Sequence, residues 1–590
     1  MIQAIKELGE IKLKMEQRKV TDLVSILVED PNDTGKYPKT LVVVFEERGG
    51  GFNYVNVLPE DTDKGKVNRY LYKFYAPNGP DYTPTARISE SISKTFHNKI
   101  VPWFEQNSGI TPLIDKFREA FLKRKDQILV DLEAKWAIVG ESLKRNQSGI
   151  ITFGIRDVKG FRYLGDIQDF REILASKVRA RYQKISTKDH ICSVCGKIAE
   201  EVYGNAIPFP FYTLDKPGYI AGGFKEQEAW KNAPVCLECS LKIEEGKKLL
   251  DSRLTYRMGG QRYYLIPRFV ISTKNVMRDF FEIVFSGRKK PEEVLSKEAL
   301  QRISEDEREI LGELCKFKDV VTFSFMFFET PTRSVFRITL LVEDILPSRL
   351  SQIFQAKRRA DVCDFLHKVK IQNQLENVEF NFYEFRRFSP SNKAFLEVVD
   401  KCFRGLPINR ELIFSWIMRV IRQGFANDLY LKPAVLRGLS ALLFFHELGV
   451  LRQVEHQSQG GATMTELSQA AEGFFSRYES AFLTPAHKAL FLLGVLTQKL
   501  LNVQYADREA TPFRKNLKGL KMREEDFQGL LPKVQNKLWE YDRNFPDLEA
   551  LISEYFLLAG RNWGLSVDEM NFYFVLGMNL SDKVIEALNL

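Results

Sequence analysis

Four cysteines are the residues whose type and spacing most plainly indicate chemistry. Cys192 and Cys195 form one C-x-x-C pair, and Cys236 and Cys239 form a second pair after forty intervening residues. Two such pairs can supply four tetrahedral sulfur ligands to Zn²⁺, because a two-residue spacer lets both sulfurs of a turn reach one ion. Gly196 follows the first pair, where such a turn favours a positive φ. The pattern predicts a structural zinc site with no position open for catalysis.

Other uses of these cysteines fit the sequence less well. Two disulfides are unexpected in a chain that has three further scattered cysteines and no secretory context. A redox site would need one C-x-x-C motif rather than two. A redox or cluster site, and a coincidence of spacing, stay as the minor alternatives.

The remaining composition is that of an ordinary multidomain protein of the reduced cytoplasm. At 590 residues the chain has room for three or four domains, and its apolar and charged fractions are 44% and 28%. The longest apolar runs are too short to span a bilayer, and the N-terminus has no signal-peptide core. We therefore expect a cytoplasmic protein without a membrane partner.

The net charge of +9 is unevenly distributed along the chain. Residues 464–590 contain 14 Lys and Arg against 17 Asp and Glu, so this segment carries −3 and the first 463 residues carry +12. The basic excess thus lies with the cysteine-bearing part, which favours polyanion binding there. Solubility alone can also require such a charge, so the signal is weak by itself.

Apolar periodicity predicts a mixed α/β N-terminal part. Strands are expected at residues 39–46, 69–75 and 149–155, and a long helix is expected at residues 111–143. A second helix, at residues 167–184, leads to the first cysteine pair. Arg179, Arg181 and Lys184 at its end are either a phosphate-facing edge or a solvated helix face.

The rest of the chain combines an antiparallel hairpin with helices. Two strands at residues 320–329 and 335–343 are joined by a short turn, which predicts a hairpin. From about residue 407 onward, repeated amphipathic helices predict a bundle. The fold class is therefore α+β multidomain. Four domains are expected: an N-terminal α+β domain (1–185), a four-cysteine zinc-binding insert (186–260), an α+β region with the hairpin (261–405) and an all-α C-terminal helical bundle (406–590).

Glycine-rich segments near the cysteines are candidates for contact with DNA. Gly259 and Gly260, followed by Gln261 and Arg262, lie between strand-like aromatic residues and predict a hairpin tip. Glycines let a backbone approach DNA closely, and Gln or Arg can read base edges or wedge between base pairs. An ordinary hairpin turn is the simpler interpretation. The segment with Gly222, Gly223 and Lys225 inside the insert is the other leading candidate, and Asn232, just before the second cysteine pair, is a weaker one.

No catalytic constellation is found in the sequence. It contains no P-loop motif and no H-E-x-x-H motif, and its six histidines are far apart without metal-ligand spacing. We therefore expect a protein that is not an enzyme.

The order of these features resembles the large subunit of type I-B CRISPR surveillance (Cascade) complexes. The resemblance lies in the two cysteine pairs around a long aromatic insert, and in the Y-Y-L-I-P strand that ends at Pro267. The F-x-F-x-F-F hairpin and the D-x-x-P-S-R-L turn at residues 344–350 fit the same family. The resemblance covers nearly the whole chain and is most specific from Cys192 to Pro267.

The resemblance implies a non-catalytic subunit in antiviral defence. Such subunits lie near the 5′ handle of the guide crRNA, recognise the protospacer-adjacent motif in target double-stranded DNA and aid R-loop formation. The implied partners are the guide crRNA, the target duplex and its displaced single strand, the backbone, handle-binding and small Cascade subunits, and a separate helicase-nuclease. A metal-dependent nuclease, or a zinc-ribbon DNA-binding factor that acts without guide RNA, is the alternative.

Residues 464–590 resemble the separate small subunit of related complexes. Gln459, Gly460 and Gly461 precede Met464, and the codons CAA-GGA-GGN would there form a ribosome-binding site. We hypothesise that internal translation yields a free 464–590 protein. A groove for the displaced single strand is expected in this segment at five clustered cations, for which a solvated helix face is the alternative. The cations are Arg514, Lys515, Lys518, Lys521 and Arg523.

Overall fold

A computed structural model gives the fold of the chain. It describes residues 1–15, 23–32, 35–75, 79–158, 160–214, 218, 220–221, 225–270, 314, 321–332, 335–371, 374–451 and 466–588. The chain divides into two compact units, Met1–Leu249 and Leu250–Leu590.

The first unit contains a five-stranded mixed sheet and a smaller three-stranded sheet. In the larger sheet the order is β2-β1-β4-β3 with β5 paired to β4, and β1 runs parallel to β4. Its strands are β1 (Lys39–Arg48), β2 (Gly51–Asp61), β3 (Ala86–Arg87), β4 (Gly149–Asp157) and β5 (Gly160–Tyr163). The smaller sheet, in the order β6-β7-β8, consists of β6 (Ser186–Ile191), β7 (Ile198–Tyr203) and β8 (Val235–Cys236).

Eight helices of the first unit are described. They are α1 (Ile2–Met15), α2 (Leu23–Leu27), α3 (Val67–Tyr70), α4 (Ile92–Thr95), α5 (Val101–Gln106), α6 (Pro112–Gly140), α7 (Gln168–Tyr182) and α8 (Leu237–Arg253). Short 3₁₀ turns occur at Lys64–Lys66, Leu164–Asp166, Gln183–Ile185 and Glu226–Asn232, and a π turn occurs at Phe96–Ile100. The helices predicted at residues 111–143 and 167–184 are confirmed.

An aromatic core joins α6 to the larger sheet. The α6 helix begins after Thr111, whose hydroxyl caps it by accepting a hydrogen bond from a backbone amide of the first turn. From this helix Phe117 packs on Phe45 of β1, with ring centroids 4.8 Å apart, and Phe121 stacks on Phe104 at 4.0 Å. These buried rings account for part of the 45 phenylalanines in the chain. The strands predicted at residues 39–46 and 149–155 are confirmed as β1 and β4.

The strand predicted at residues 69–75 is wrong. The α3 helix ends at Tyr70, and Leu71 adopts the left-handed region with a φ of 56°. The hydroxyls of Thr83 and Thr85 donate to the carbonyl oxygens of Leu71 and Tyr70, at 2.7 and 2.6 Å. Side chains therefore satisfy carbonyl groups that a neighbouring strand would have satisfied.

The second unit begins with a four-stranded antiparallel sheet in the order β12-β11-β10-β9. Its strands are β9 (Thr255–Met258), β10 (Gln261–Phe269), β11 (Val321–Thr332) and β12 (Val335–Ile345). The predicted hairpin at residues 320–329 and 335–343 is confirmed as β11 and β12. A small two-stranded sheet follows, formed by β13 (Val369–Ile371) and β14 (Gln374–Glu376).

Helices dominate the rest of the second unit, as the sequence predicts. They are α9 (Pro347–Asp361), α10 (Phe382–Arg386), α11 (Asn392–Arg404), α12 (Arg410–Ala426), α13 (Lys432–Glu447), α14 (Glu466–Ser476), α15 (Pro485–Arg508), α16 (Glu524–Gln528), α17 (Leu530–Trp539), α18 (Pro546–Ala559) and α19 (Val567–Leu588). Two 3₁₀ segments lie at Asp364–Leu366 and Pro512–Leu520. No helix in the described ranges is long and apolar enough to cross a membrane.

Two glycines allow α15 and α19 to approach closely at the centre of the bundle. A Cβ added at Gly494 would overlap the carbonyl oxygen of Phe574, and one added at Gly577 would overlap that of Phe491. The two helices thus meet backbone to backbone, and even a methyl group would force them apart. This contact fixes the spacing of the bundle core.

We expect Gly577→Ala to lower the stability of the bundle by about 1–3 kcal/mol, because overpacking displaces α15 from α19. Calorimetric unfolding measures the effect. Gly473→Ala is the matched control, since an added Cβ there meets nothing within 4 Å and alanine favours a helix. Equal unfolding temperatures for Gly577→Ala and the wild type would contradict the close contact.

Candidate metal centre

The first cysteine pair lies in the turn between β6 and β7. Ile191 and Ile198 form the last cross-strand pair before this turn. Within the turn the amide of Cys192 donates to Lys197 O, and the amide of Gly196 donates to Cys192 O, both at 2.9 Å. Gly196 has a φ of 70°, which a side chain would strain. The glycine therefore closes the turn, as its place in the sequence predicts.

The second pair lies where β8 passes into α8. Cys236 ends β8, opposite Val202 of β7, and Cys239 lies in the first turn of α8. The amide of Cys236 donates to Cys192 Sγ at 3.3 Å. Backbone pairing between β7 and β8 thus brings together two cysteine pairs that are far apart in sequence.

The four sulfur atoms form one compact cluster. The Sγ atoms of Cys192, Cys195, Cys236 and Cys239 all lie within 4.8 Å of one another. Four sulfurs placed about 2.3 Å from a central ion would be about 3.8 Å apart, so the cluster fits a single tetrahedral ion. The predicted grouping is confirmed, and the four residues could hold one metal ion.

The ionisation of these thiols depends on their neighbours. Burial raises the pKa of Cys192. A hydrogen bond from Cys239 lowers the pKa of Cys236 to about 5, which favours its thiolate. Four thiolates this close repel one another unless a cation lies between them, and a bound metal ion supplies that cation.

A close crossing between α1 and α8 supports the metal ligands on α8. Cβ atoms added at Gly9 of α1 and Gly246 of α8 would overlap backbone carbonyl oxygens of the opposite helix. Lys12 Nζ also contacts the buried carboxylate of Glu245 at 2.6 Å. This support was not predicted from the sequence, although a glycine inside each helical pattern indicates close packing.

The predicted hairpin tip is confirmed as the turn between β9 and β10. Gln261 pairs with Met258, and the two intervening residues, Gly259 and Gly260, have φ angles of 54° and 80°. Such a turn requires glycine-like residues at both positions. A Cβ added at Gly259 would overlap the Phe395 ring. Gly259 therefore meets protein, whereas a Cβ added at Gly260 meets nothing within 4 Å.

The two side chains beside this tip differ in what they contact. The guanidinium of Arg262 lies 5.3 Å from the centre of the Phe328 ring and donates a hydrogen bond to Thr330 Oγ1. The half-buried amide of Gln261 makes no side-chain hydrogen bond within the described part of the chain. Of the two, Gln261 is the side chain that is available to a ligand.

The structure describes only some of the candidate DNA-contact residues within the insert. Gly222 and Gly223 lie outside the described residues, and Lys225 is exposed. Asn232 Oδ1 accepts a hydrogen bond from the amide of Ala221 at 2.6 Å, so this side chain links two segments of the insert.

The cations at the end of α7 are described only in part. The side chain of Arg179 is exposed, and those of Arg181 and Lys184 lie outside the described part of the chain.

Two of the five clustered cations near residue 520 have partners within the bundle. Arg514 lies 4.0 Å from the centre of the Phe425 ring and forms an ion pair with Asp428 at 2.6 Å. Lys518 forms an ion pair with Asp526 at 2.5 Å. The other three are exposed and form no ion pair with any described residue: Lys515, Lys521 and Arg523.

We expect one bound metal ion per chain, and replacing Cys236 and Cys239 together by serine should remove it because two of four ligands are lost. Elemental analysis of purified protein by mass spectrometry measures the metal content. Cys363→Ser is the matched control, because Cys363 lies outside the cluster. Wild-type protein without metal, or a double variant that keeps it, would contradict the assignment.

Comparisons with known proteins connect this centre to a family. Three domain models of the CRISPR-associated protein TM1802 (cas_TM1802) match the chain: the N-terminal domain at residues 1–176, the central domain at 189–345 and the C-terminal domain at 380–587. The four cysteines lie within the central-domain match. No curated protein matches the chain. Because the three matches together span most of the sequence, the chain belongs to the CRISPR-associated TM1802 family.

Proposed function

We propose that the chain is the non-catalytic large subunit of a type I-B CRISPR Cascade effector. In this role it binds the 5′-handle region of the guide crRNA, recognises the protospacer-adjacent motif in the target duplex and aids R-loop formation. One observation carries the proposal: all three domains of a CRISPR-associated family match one chain, with a four-cysteine cluster in the central domain. Antiviral defence in the prokaryotic cytoplasm is the corresponding role.

Zn²⁺ is the metal that suits the four-cysteine cluster best. Thiolates are soft ligands, and a set of four thiolates without histidine or carboxylate is typical of structural zinc. Four sulfurs complete a tetrahedral sphere, so the ion stabilises the fold and offers no position to a substrate. DNA cleavage is accordingly assigned to the partner helicase-nuclease.

Gly260 and Gln261 are the proposed contacts with the flanking motif. Open space at Gly260 allows the backbone to approach DNA, and the Gln261 amide can donate and accept hydrogen bonds in a groove. Arg262 supports the tip through Phe328 instead of reaching outward.

The displaced strand is assigned to the C-terminal bundle. Lys515, Lys521 and Arg523 are exposed there and supply positive charge to a phosphate backbone. Arg514 and Lys518 contribute less, because Asp428 and Asp526 compensate their charges.

The main test is co-purification. When the chain is produced with its partner Cascade proteins and a CRISPR array, we expect it to co-purify with a short RNA that carries repeat-derived sequence at its 5′ end. Sequencing of the bound RNA measures this. DNA binding by the chain without guide RNA would contradict the proposal and favour the zinc-ribbon factor. DNA cleavage by the chain alone would contradict it and favour the nuclease.

Gln261→Ala should weaken binding of the target duplex by about ten-fold, because one set of groove contacts is lost. Binding of guide RNA should not change. Gel-shift titrations of the assembled complex measure both affinities, and Gln423→Ala on the exposed surface of α12 is the control. Equal loss of both affinities, or loss of neither, would remove Gln261 from the assignment.

The small-subunit-like segment shares its core with helices that precede it. Phe572 of α19 packs on Phe414 of α12, with ring centroids 5.5 Å apart. Glu569 of α19 is buried and forms an ion pair with buried Arg410 of α12 at 2.6 Å. A free 464–590 protein would lose Arg410 and keep His487, whose Nε2 lies 3.0 Å from Glu569 Oε1. The loss of Arg410 would therefore cost at most about 3–5 kcal/mol, which is the cost when a buried charge loses its partner. We infer that such a product needs another chain to cover this face.

Internal translation makes a separate prediction at Met464, which lies outside the described residues. We expect intact-mass analysis of the purified complex to find both the full chain and a product that begins at Met464. A Met464→Leu change in the gene should abolish the short product and leave the full chain. The hypothesis fails if the wild-type complex lacks the short product, or if the variant retains it.

A further inference from the structure

An open cavity of about 480 Å³ lies in the C-terminal bundle. It is lined by the connection between α12 and α13 and by residues of α15 and α19. This volume is within the range of natural ligand pockets. The side chains that matter most for its chemistry are Tyr430, Lys432, Gln498, Asn502, Tyr505 and Asn579.

Two exposed tyrosines supply aromatic surface to the cavity. Tyr430 is 61% exposed and Tyr505 is 62% exposed, in contrast to the buried rings of the bundle core. Tyr505 lies in the last turns of α15, and Tyr430 lies in the connection between α12 and α13. The amide of neighbouring Leu429 donates to Gly424 O at 2.9 Å, which ties this connection to α12. Aromatic surface held on helix ends is suited to stacking with flat ligands.

Amide side chains add hydrogen-bonding groups to the same cavity. Gln498 Nε2 donates to Asn502 Oδ1 at 2.8 Å, and Asn579 Nδ2 donates to Val575 O at 2.8 Å. These bonds leave Asn502 Nδ2 as a donor and Asn579 Oδ1 as an acceptor, neither with a partner among the described residues. The edge of a nucleobase needs this combination of donor and acceptor.

The charges around the cavity nearly balance. Arg514 lines it but is paired with Asp428, and Asp582 also lines it. Lys432 contributes positive charge, and burial together with this charge lowers the pKa of nearby Lys583. So little excess charge suits a base with one adjacent phosphate and does not suit a polyphosphate.

We propose that this cavity binds one unpaired base of a single-stranded nucleic acid. The base stacks on Tyr430 and Tyr505, its edge bonds to Asn502 and Asn579, and the adjacent phosphate lies at Lys432. This inference rests on the proposed function, since R-loop formation supplies an unpaired strand. It adds a base-stacking site to the exposed cations near residue 520, which contact only phosphate.

The test measures binding of the full chain to fluorescently labelled oligothymidylate by anisotropy. We expect Tyr430→Ala and Tyr505→Ala each to weaken binding by about five-fold to a hundred-fold, since base stacking contributes that much affinity. Tyr505→Phe should retain most of the affinity because it keeps the ring. Trp539→Ala is the matched control: Trp539 is also a large exposed aromatic residue, at 58%, and does not line the cavity.

Oligouridylate and a DNA duplex complete the comparison. Weaker binding of either single strand by the tyrosine variants supports the site, and the tighter ligand shows whether DNA or RNA is the source. The proposal is overturned if the wild type does not bind single strands, if the tyrosine variants bind like the wild type, or if Trp539→Ala loses as much. If the effector assembles with guide RNA and the tyrosine variants bind single strands like the wild type, only this base-binding site is excluded. If single-strand binding depends on the tyrosines but the chain never co-purifies with guide RNA, only the proposed function is excluded.

Discussion

Repulsion among four clustered cysteine sulfurs is the constraint on which the metal-centre account depends. The β6–β7 turn and the start of α8 bring these sulfurs within 4.8 Å of one another, and two of the cysteines, Cys192 and Cys239, are buried. A divalent cation at their centre would turn this repulsion into attraction, and metal binding would then be coupled to folding of this region. The crossing of α1 with α8 then gives the centre a firm base. A bound ion would hold the backbone of both cysteine pairs in place.

Features with local causes could be predicted from the sequence. The C-x-x-C spacing, positive φ at Gly196, strands β1 and β4, the β11–β12 hairpin and helix α6 all follow from residues close together in the chain. The glycine tip at Gly259 was also predictable as a turn. Its burial was not, because Phe395 comes more than a hundred residues later. The ion pair of Arg514 was equally beyond a prediction from sequence, since its partner Asp428 is far away in the chain.

In the C-terminal bundle, helices that precede Met464 pack against helices that follow it. Translation that begins at Met464 would yield only the second group. Glu569 and Phe572 contact α12, and Gly438 of α13 packs against the Phe572 ring. The proposed base-binding cavity spans the same boundary, because Tyr430 precedes Met464 and Tyr505 follows it. A short product would therefore carry only part of the cavity. The full chain and the short product would then differ in how they hold an unpaired strand, while sharing the exposed cations near residue 520.

X-ray absorption at the zinc edge of the purified chain distinguishes a closed four-sulfur site from any other, because it reports the atoms bound to the metal. We expect four sulfur atoms at about 2.3 Å from the metal and no oxygen or nitrogen neighbour. A nitrogen or oxygen atom bound to the metal, or a chain without zinc, would rule out the closed four-sulfur site. The centre would then be open or absent, and the proposed structural role of the metal would lose its physical basis.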